Sequence, residues 1–286
     1  MIGIWIGVIG GIVLLAIVGL SRIYSAPQVG YQSTPAKYEI DFEEVWFPTL
    51  NDKTLYGWWI PSTHHAGQPT IILVHGWSRN VERMLPYIRN LHERGFNLLA
   101  FDARHHGSSD PDKFSSMLKF AEDISSAIDF IIDQKQVDDQ KIGVVGLSIG
   151  AAGTIYAAAH DDRIKAAVTV GAFAHPATIM KLEFARRRIP YFPLVWLLFR
   201  FMEYRIGAKF DEIAPVNNIS ILRAHLLLIH GVLDQTVPVE QGEYLYSMSN
   251  PDRTELWLQS ERGHSDCHRE AGFWDRIDTF FKTVIK

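Results

Sequence analysis

Short apolar runs recur along this chain between stretches of helical spacing, and that alternation constrains the fold more than any other feature. Thr70–His75, Asn97–Phe101, Lys141–Gly146, Ala166–Gly171, His225–Ile229 and Thr254–Leu258 are mostly built of Val, Ile, Leu, Ala and aromatic residues. Runs this short and continuous suit strands covered on both faces, because a solvated face would alternate with polar residues. Helical patterns lie between them at about 81–94, 117–134, 149–159 and 240–248, and an amphipathic one follows at about 270–284. Strand alternating with helix predicts an α/β domain with a mostly parallel sheet and helices on both faces. Ahead of it, Glu43–Phe47 and Leu55–Ile60 are aromatic and β-branched and predict an antiparallel pair. One connection breaks the rhythm. About fifty residues separate Gly171 from His225, far more than such a connection needs, and they include Tyr191–Met202, apolar nearly all round. A helical lid over a site is the expectation for about 172–224.

The start of the chain points elsewhere. Ile2–Leu20 carries no charge, and as a helix rising about 1.5 Å per residue it would just span a hydrocarbon core of roughly 30 Å. No basic residue precedes it, as a signal peptide would require, and it has no polar face, as a core helix would. The expectation is a membrane anchor over 1–21, a linker over 22–38 containing Pro27, Gly30 and Pro35, and a catalytic domain over 39–286. Arg22 and Lys37, on the C-terminal flank, favour a cytoplasmic catalytic domain. Gly3, Gly7 and Gly11 have the small-xxx-small spacing through which anchors self-associate, although glycine is common in membrane helices in any case.

Charge and cysteine content remove some functions. With 28 basic and 32 acidic residues the net charge is −4, and no basic run exceeds Arg186–Arg188, so nucleic acid is not the expected partner. Cys267 is the only cysteine, which excludes an intrachain disulfide and a Cys-rich zinc site.

The chemistry centres on Gly146-Leu147-Ser148-Ile149-Gly150, set between an apolar strand and an Ala-rich helix. That context is a nucleophile elbow, a tight turn that lifts a serine hydroxyl above the sheet edge. The flanking glycines, Gly146 and Gly150, avoid collision with neighbouring backbone. A serine hydroxyl needs a base at neutral pH. Asp234, within His230–Pro238, and His264, within Arg262-Gly263-His264, each follow a strand and supply an orienting acid and a base. The backbone N–H groups of Trp77 and Ile149 are expected to receive the oxyanion, with His75 and Gly76 supporting the turn. His264, Asp266, Cys267 and His268 form a local cluster of metal-ligand types, but the base role accounts for His264, so neither metal nor other cofactor is expected. His268 is the alternative base.

Together these motifs resemble the α/β-hydrolase superfamily, from about Glu39 onward. Phe101-Asp102-Ala103-Arg104-His105-His106-Gly107-Ser108-Ser109 is similar to that superfamily's Asp-x-Arg-x-His-Gly-x-Ser segment. Within it the chain resembles the monoacylglycerol-lipase-like and serine-aminopeptidase-like group, from which His105 and Ser78 depart by replacing glycines. The resemblance implies hydrolysis of a carboxylic ester through an acyl-enzyme on Ser148. The apolar insertion and the anchor favour a lipid-like acyl ester. An amide hydrolase of aminopeptidase type, a thioesterase or a lyase on the same serine remain alternatives. So does a non-catalytic, membrane-tethered binding protein of the same fold.

Overall fold

The computed structural model describes residues 26–64 and 67–285, together with Gly11 and Gly19. Eight strands form one sheet: β1 (Glu43–Thr49), β2 (Lys53–Ile60), β3 (Thr70–Val74), β4 (Asn97–Phe101), β5 (Ile142–Leu147), β6 (Ile164–Val170), β7 (His225–Gly231) and β8 (Thr254–Gln259). Their order is β1-β2-β4-β3-β5-β6-β7-β8. β2 is antiparallel to both β1 and β4, and every pairing from β4 to β8 is parallel.

The continuous apolar runs are central strands because both of their faces are covered. In β3, Ile72 and Val74 join one core while Ile71 and Leu73 join the other; in β7 Leu226 and Leu228 alternate with Leu227 and Ile229 in the same way. The first core is closed by helices α2 (Met117–Lys135), α3 (Ile149–His160) and α8 (Val239–Met248), through Ile124, Ile128, Ile155 and Leu245 among others. The second is closed by α1 (Leu85–His92) and α9 (Phe273–Val284), through Ile88, Leu91, Ile277 and Phe281. Two helix starts differ from expectation for local reasons. Val81–Met84 is a 3-10 turn, and α1 begins at Leu85 because Pro86 fits only the first turn. Likewise α9 begins after Gly272, whose φ of 73° interrupts any helix continuing from Glu270.

The insertion between β6 and β7 holds α4 (Pro176–Arg186), a turn at Tyr191–Val195, α5 (Trp196–Ile206), α6 (Phe210–Ile213) and α7 (Pro215–Asn218). It has its own apolar cluster, in which Phe184, Leu198, Phe199 and Phe210 meet Met117 of α2 and Ala152 of α3. Burying a side chain of that size contributes about 1.5–3 kcal/mol, enough to hold this segment against the sheet's carboxyl edge.

Residues 26–38 lie on the domain rather than apart from it. Tyr31 stacks on Tyr56 with ring centroids 5.7 Å apart, Asn80 Nδ2 donates to the Val29 carbonyl at 2.9 Å, and Ala26 and Pro35 are buried. The membrane localisation expected from Ile2–Leu20 is corrected: among the described residues, no helix is long and apolar enough to cross a membrane. That stretch, including Gly3 and Gly7 but not Gly11 and Gly19, lies outside the described residues. The cytoplasmic placement that rested on it is withdrawn with it.

Candidate active site

β5 carries the elbow to the carboxyl edge of the sheet, where neighbouring crossovers leave on opposite faces: α1 follows β3 on one side and α3 follows β5 on the other. A crevice at such a switch point is where open parallel sheets bind ligands. Ser148 sits at φ 54° and ψ −117°, a conformation that costs a non-glycine residue about 1–3 kcal/mol. Two positions to either side the chain must be glycine. A Cβ at Gly146 would strike Thr154 Oγ1 and the Gly150 carbonyl, and one at Gly150 would strike the His75 carbonyl. The turn is pinned by Ser148 N–H to Val170 O at 2.9 Å and by Ala152 N–H to Ser148 O at 3.0 Å.

Three side chains from separate loops converge here. His264 Nε2 lies 3.0 Å from Ser148 Oγ, and its Nδ1 lies 2.6 Å from Asp234 Oδ2. The other carboxylate oxygen of Asp234 accepts from the N–H groups of Thr236 and Val237 at 2.8 and 2.9 Å. A carboxylate so held keeps Nδ1 protonated and leaves Nε2 facing the serine as an acceptor. The loops after β7 and β8 are laced together to achieve this: Val232 N–H donates to Gln259 O, and Leu233 N–H donates to Arg262 O, each at 2.9 Å. Gly231 permits the lacing, since a Cβ there would meet the Arg262 and Gly263 carbonyls. Asp266 shapes the His264 loop by accepting from Gly263 N–H at 2.8 Å.

Two nearby residues were not anticipated from sequence. Gly171, at φ 65°, places its Cα hydrogen where a Cβ would come within 3.1 Å of the His264 ring. His230 is buried beneath Asp234, and its Nε2 lies 2.9 Å from the Val237 carbonyl. Burial lowers its pKa, so it stays neutral and donates to that carbonyl. A glycine directly after the β-branched run Val168-Thr169-Val170 was the only hint of the former.

The expected oxyanion donors lie beside the elbow. Ile149 opens α3 directly after Ser148. Trp77 follows Gly76, whose Cβ position would be 3.4 Å from both Leu147 O and Ser148 Cβ, so this turn passes in contact with the elbow. His75 supports the turn from inside. Its Nδ1 lies 2.7 Å from Gly76 O, and its Nε2 accepts from Ala103 N–H at 3.1 Å, which makes Nδ1–H the donor. Fully buried, and beside His106, it has its pKa lowered to about 3 and is neutral. His75 is a strap. His268 is not brought to the serine: its ring packs near Tyr87 and Trp274.

The Asp102–Ser109 segment is structural as well. Asp102 accepts from Val81 N–H at 2.6 Å and Ser108 N–H at 2.8 Å, while Ser109 Oγ takes Tyr56 N–H at 2.8 Å. Gly107, at φ 49°, is obligatory because a Cβ would enter the Asp102 carboxylate. Arg104 is buried and bonded to Asp123 at 2.6 Å and to Glu122, fixing the loop to α2.

Two cavities meet at Ser148. One, of about 330 Å³, lies under the insertion and is lined by Ile149, Phe173, Met180, Phe210, Ile213 and Val237. The other, of about 340 Å³, is lined by His264 with Arg79, Arg83, Tyr87 and His268.

A parallel sheet of this order, with a strained serine elbow after its fifth strand and an Asp–His pair from its last two loops, defines the α/β-hydrolase fold family. The chain belongs to that family: the model described as alpha/beta hydrolase fold matches residues 69–203. The Escherichia coli (strain K12) protein named uncharacterized protein YfhR is 31% identical over 243 residues, covering 80% of this chain and 78% of that one. Bacillus subtilis (strain 168) YqkD, named in the same way, is 30% identical over 252 residues, covering 85% and 79%. Among solved structures, the Pyrococcus furiosus esterase Pf2001 has a TM-score of 0.70 and 25% identity, covering 92% of this chain and 97% of that one.

Proposed function

We propose that this chain is a serine hydrolase that cleaves carboxylic esters with apolar acyl groups through an acyl-enzyme on Ser148. The observation that carries this is the unbroken relay of 2.6 and 3.0 Å from Asp234 through His264 to the Ser148 hydroxyl. Ser148 Oγ attacks the ester carbonyl while its proton passes to His264 Nε2. Asp234 steadies the imidazolium. The N–H groups of Trp77 and Ile149 receive the negative charge on the former carbonyl oxygen, each worth about 2.7–4 kcal/mol of barrier. Collapse breaks the C–O bond, and the alcohol leaves with the proton from Nε2. Water then repeats the sequence on the acyl-enzyme and frees the carboxylic acid.

The substrate reading rests on the cavity under α4–α6, whose apolar wall and size suit an acyl chain, with the insertion acting as a lid. The likeness to a protein named as an esterase agrees with it. A series of p-nitrophenyl esters from acetate to decanoate tests both parts. Medium or long chains should give the higher kcat/KM, and Ser148→Ala should abolish turnover and labelling by a fluorophosphonate probe. Equal rates across the series would remove the apolar-acyl assignment. Turnover surviving in the alanine variant would remove the serine mechanism.

A further inference from the structure

The second cavity at Ser148 is lined by Arg79 and Arg83 with, among the described residues, no carboxylate beside them, whereas Arg186 and Arg187 at the edge of the first are paired with Glu183. Its place in the reaction says which half of an ester it receives. This inference rests on the ester-hydrolase reading. The departing alcohol must take its proton from His264 Nε2, so it must occupy the side of the serine that His264 lines. His264 lines the second cavity and not the apolar one.

The wall of that cavity carries two guanidinium groups. Arg83 is half-buried, and its Nη2 donates to the Ser265 carbonyl at 2.8 Å, which anchors the side chain and leaves further N–H groups free. Arg79 is exposed at the rim. Among the described residues neither pairs with a carboxylate. The acids on this side are already engaged: Asp266 with Gly263 N–H, Glu270 with Arg262 at 2.8 Å, and Asp234 with His264. His268 lines the same cavity, and its buried Nδ1 has no hydrogen-bond partner. The proposed reaction itself has no use for these cations, because the oxyanion is directed toward the backbone N–H groups of Trp77 and Ile149. Unpaired guanidinium forks match the oxygens of a phosphate or carboxylate.

We propose that Arg79 and Arg83 form a subsite for an anionic group on the alcohol half of the substrate, so that the preferred ester joins an apolar acyl chain to an alcohol bearing a phosphate or carboxylate. Water adds its hydroxyl to the acyl carbon and a proton to the alcohol oxygen, and the anionic group leaves unchanged on the released alcohol.

The test compares matched esters of one acyl chain. One pair is 1-hexanoylglycerol and 1-hexanoylglycerol 3-phosphate; the other is methyl 4-(hexanoyloxy)benzoate and 4-(hexanoyloxy)benzoate. The quantity read is the ratio of kcat/KM for the anionic ester to that for its neutral partner, so loss of active protein cancels. In the unaltered protein the ratio should exceed one and should fall as salt rises from about 20 to about 300 mM. In R79Q/R83Q it should fall about tenfold, through KM rather than kcat, and Arg83→Lys should keep part of it. A fall confined to one pair supports the subsite and identifies its anion as phosphate or carboxylate. Ratios unchanged by the double substitution in both pairs would overturn the subsite, while leaving the neutral esters as an independent measure of the serine mechanism through Ser148→Ala.

Discussion

Gly171→Ala offers the sharpest check on how His264 is held. Gly171 directly follows β6 at φ 65°, and a Cβ added there would lie 3.1 Å from both Cε1 and Nδ1 of His264 and 3.5 Å from Asp234 Oδ2. Two costs follow and can be separated. The left-handed backbone costs an alanine about 1–2 kcal/mol of stability wherever it occurs. The contact at 3.1 Å is shorter than the roughly 3.5–4.0 Å that carbon atoms prefer, so the ring must retreat by several tenths of an ångström. It cannot do so freely, because Nδ1 is bonded to Asp234 at 2.6 Å and Nε2 faces Ser148 at 3.0 Å. Since a misplacement of about 1 Å can cost about 100-fold in rate, half of that predicts a fall in kcat on the order of tenfold with little change in KM. The control is Gly272→Ala, whose φ of 73° carries the same backbone cost but whose Cβ would meet nothing within 4 Å. Urea unfolding should show both variants destabilised by similar amounts, while p-nitrophenyl ester turnover should fall in Gly171→Ala alone. Wild-type kcat in a destabilised Gly171→Ala protein would mean that the ring is not confined as the distances imply.

The remaining predictions concern stability. Arg104→Ala should cost about 3–5 kcal/mol in urea unfolding, because it strands the fully buried Asp123 carboxylate now bonded to Arg104 at 2.6 Å; a loss under about 1 kcal/mol would contradict that burial. Stability should also fall with acid. Burial lowers the pKa of His75 to about 3 and of His106 to about 4, so between those values and roughly 6.5 the unfolded chain binds protons that the folded one refuses. The contribution is therefore complete above about pH 6.5 and drops as pH falls below it, by about 1.4 kcal/mol per pH unit for each extra proton. Burial acts the other way on Asp102, raised to about 7, and on Asp123, raised to about 6, so the histidine contribution is read as a difference. Between pH 7 and pH 4.5 the urea midpoint should fall less in His106→Gln than in the unaltered protein, and the same fall in both would refute it.

What sequence could reveal here divides along the distance over which each feature is decided. The strands were legible because Ile71–Val74 and Leu226–Ile229 are apolar at every position, which only double-sided burial rewards. The elbow was legible because its demands are local: strand, Gly146, Ser148, Gly150 and helix occupy one short window. Asp234 and His264 could be named from their places after strands, and the structure brings both to Ser148. His75 was expected to support the turn beside the elbow; its partners, Gly76 O and Ala103 N–H, make it a neutral strap, and the second of them follows another strand. In residues 26–38, Pro27, Gly30 and Pro35 suggest a linker and say nothing of its contacts; the docking of Tyr31 on Tyr56 depends on a partner in β2 that no window of sequence includes. Gly171 is the limiting case. Its φ and its emptiness matter only because an imidazole from a distant loop comes to lie against it. Local pattern thus names the groups that converge, whereas the small residues and buried straps that aim them become visible only once the loops are brought together. Substitutions such as Gly171→Ala are therefore the ones that separate the aiming of this site from its chemistry.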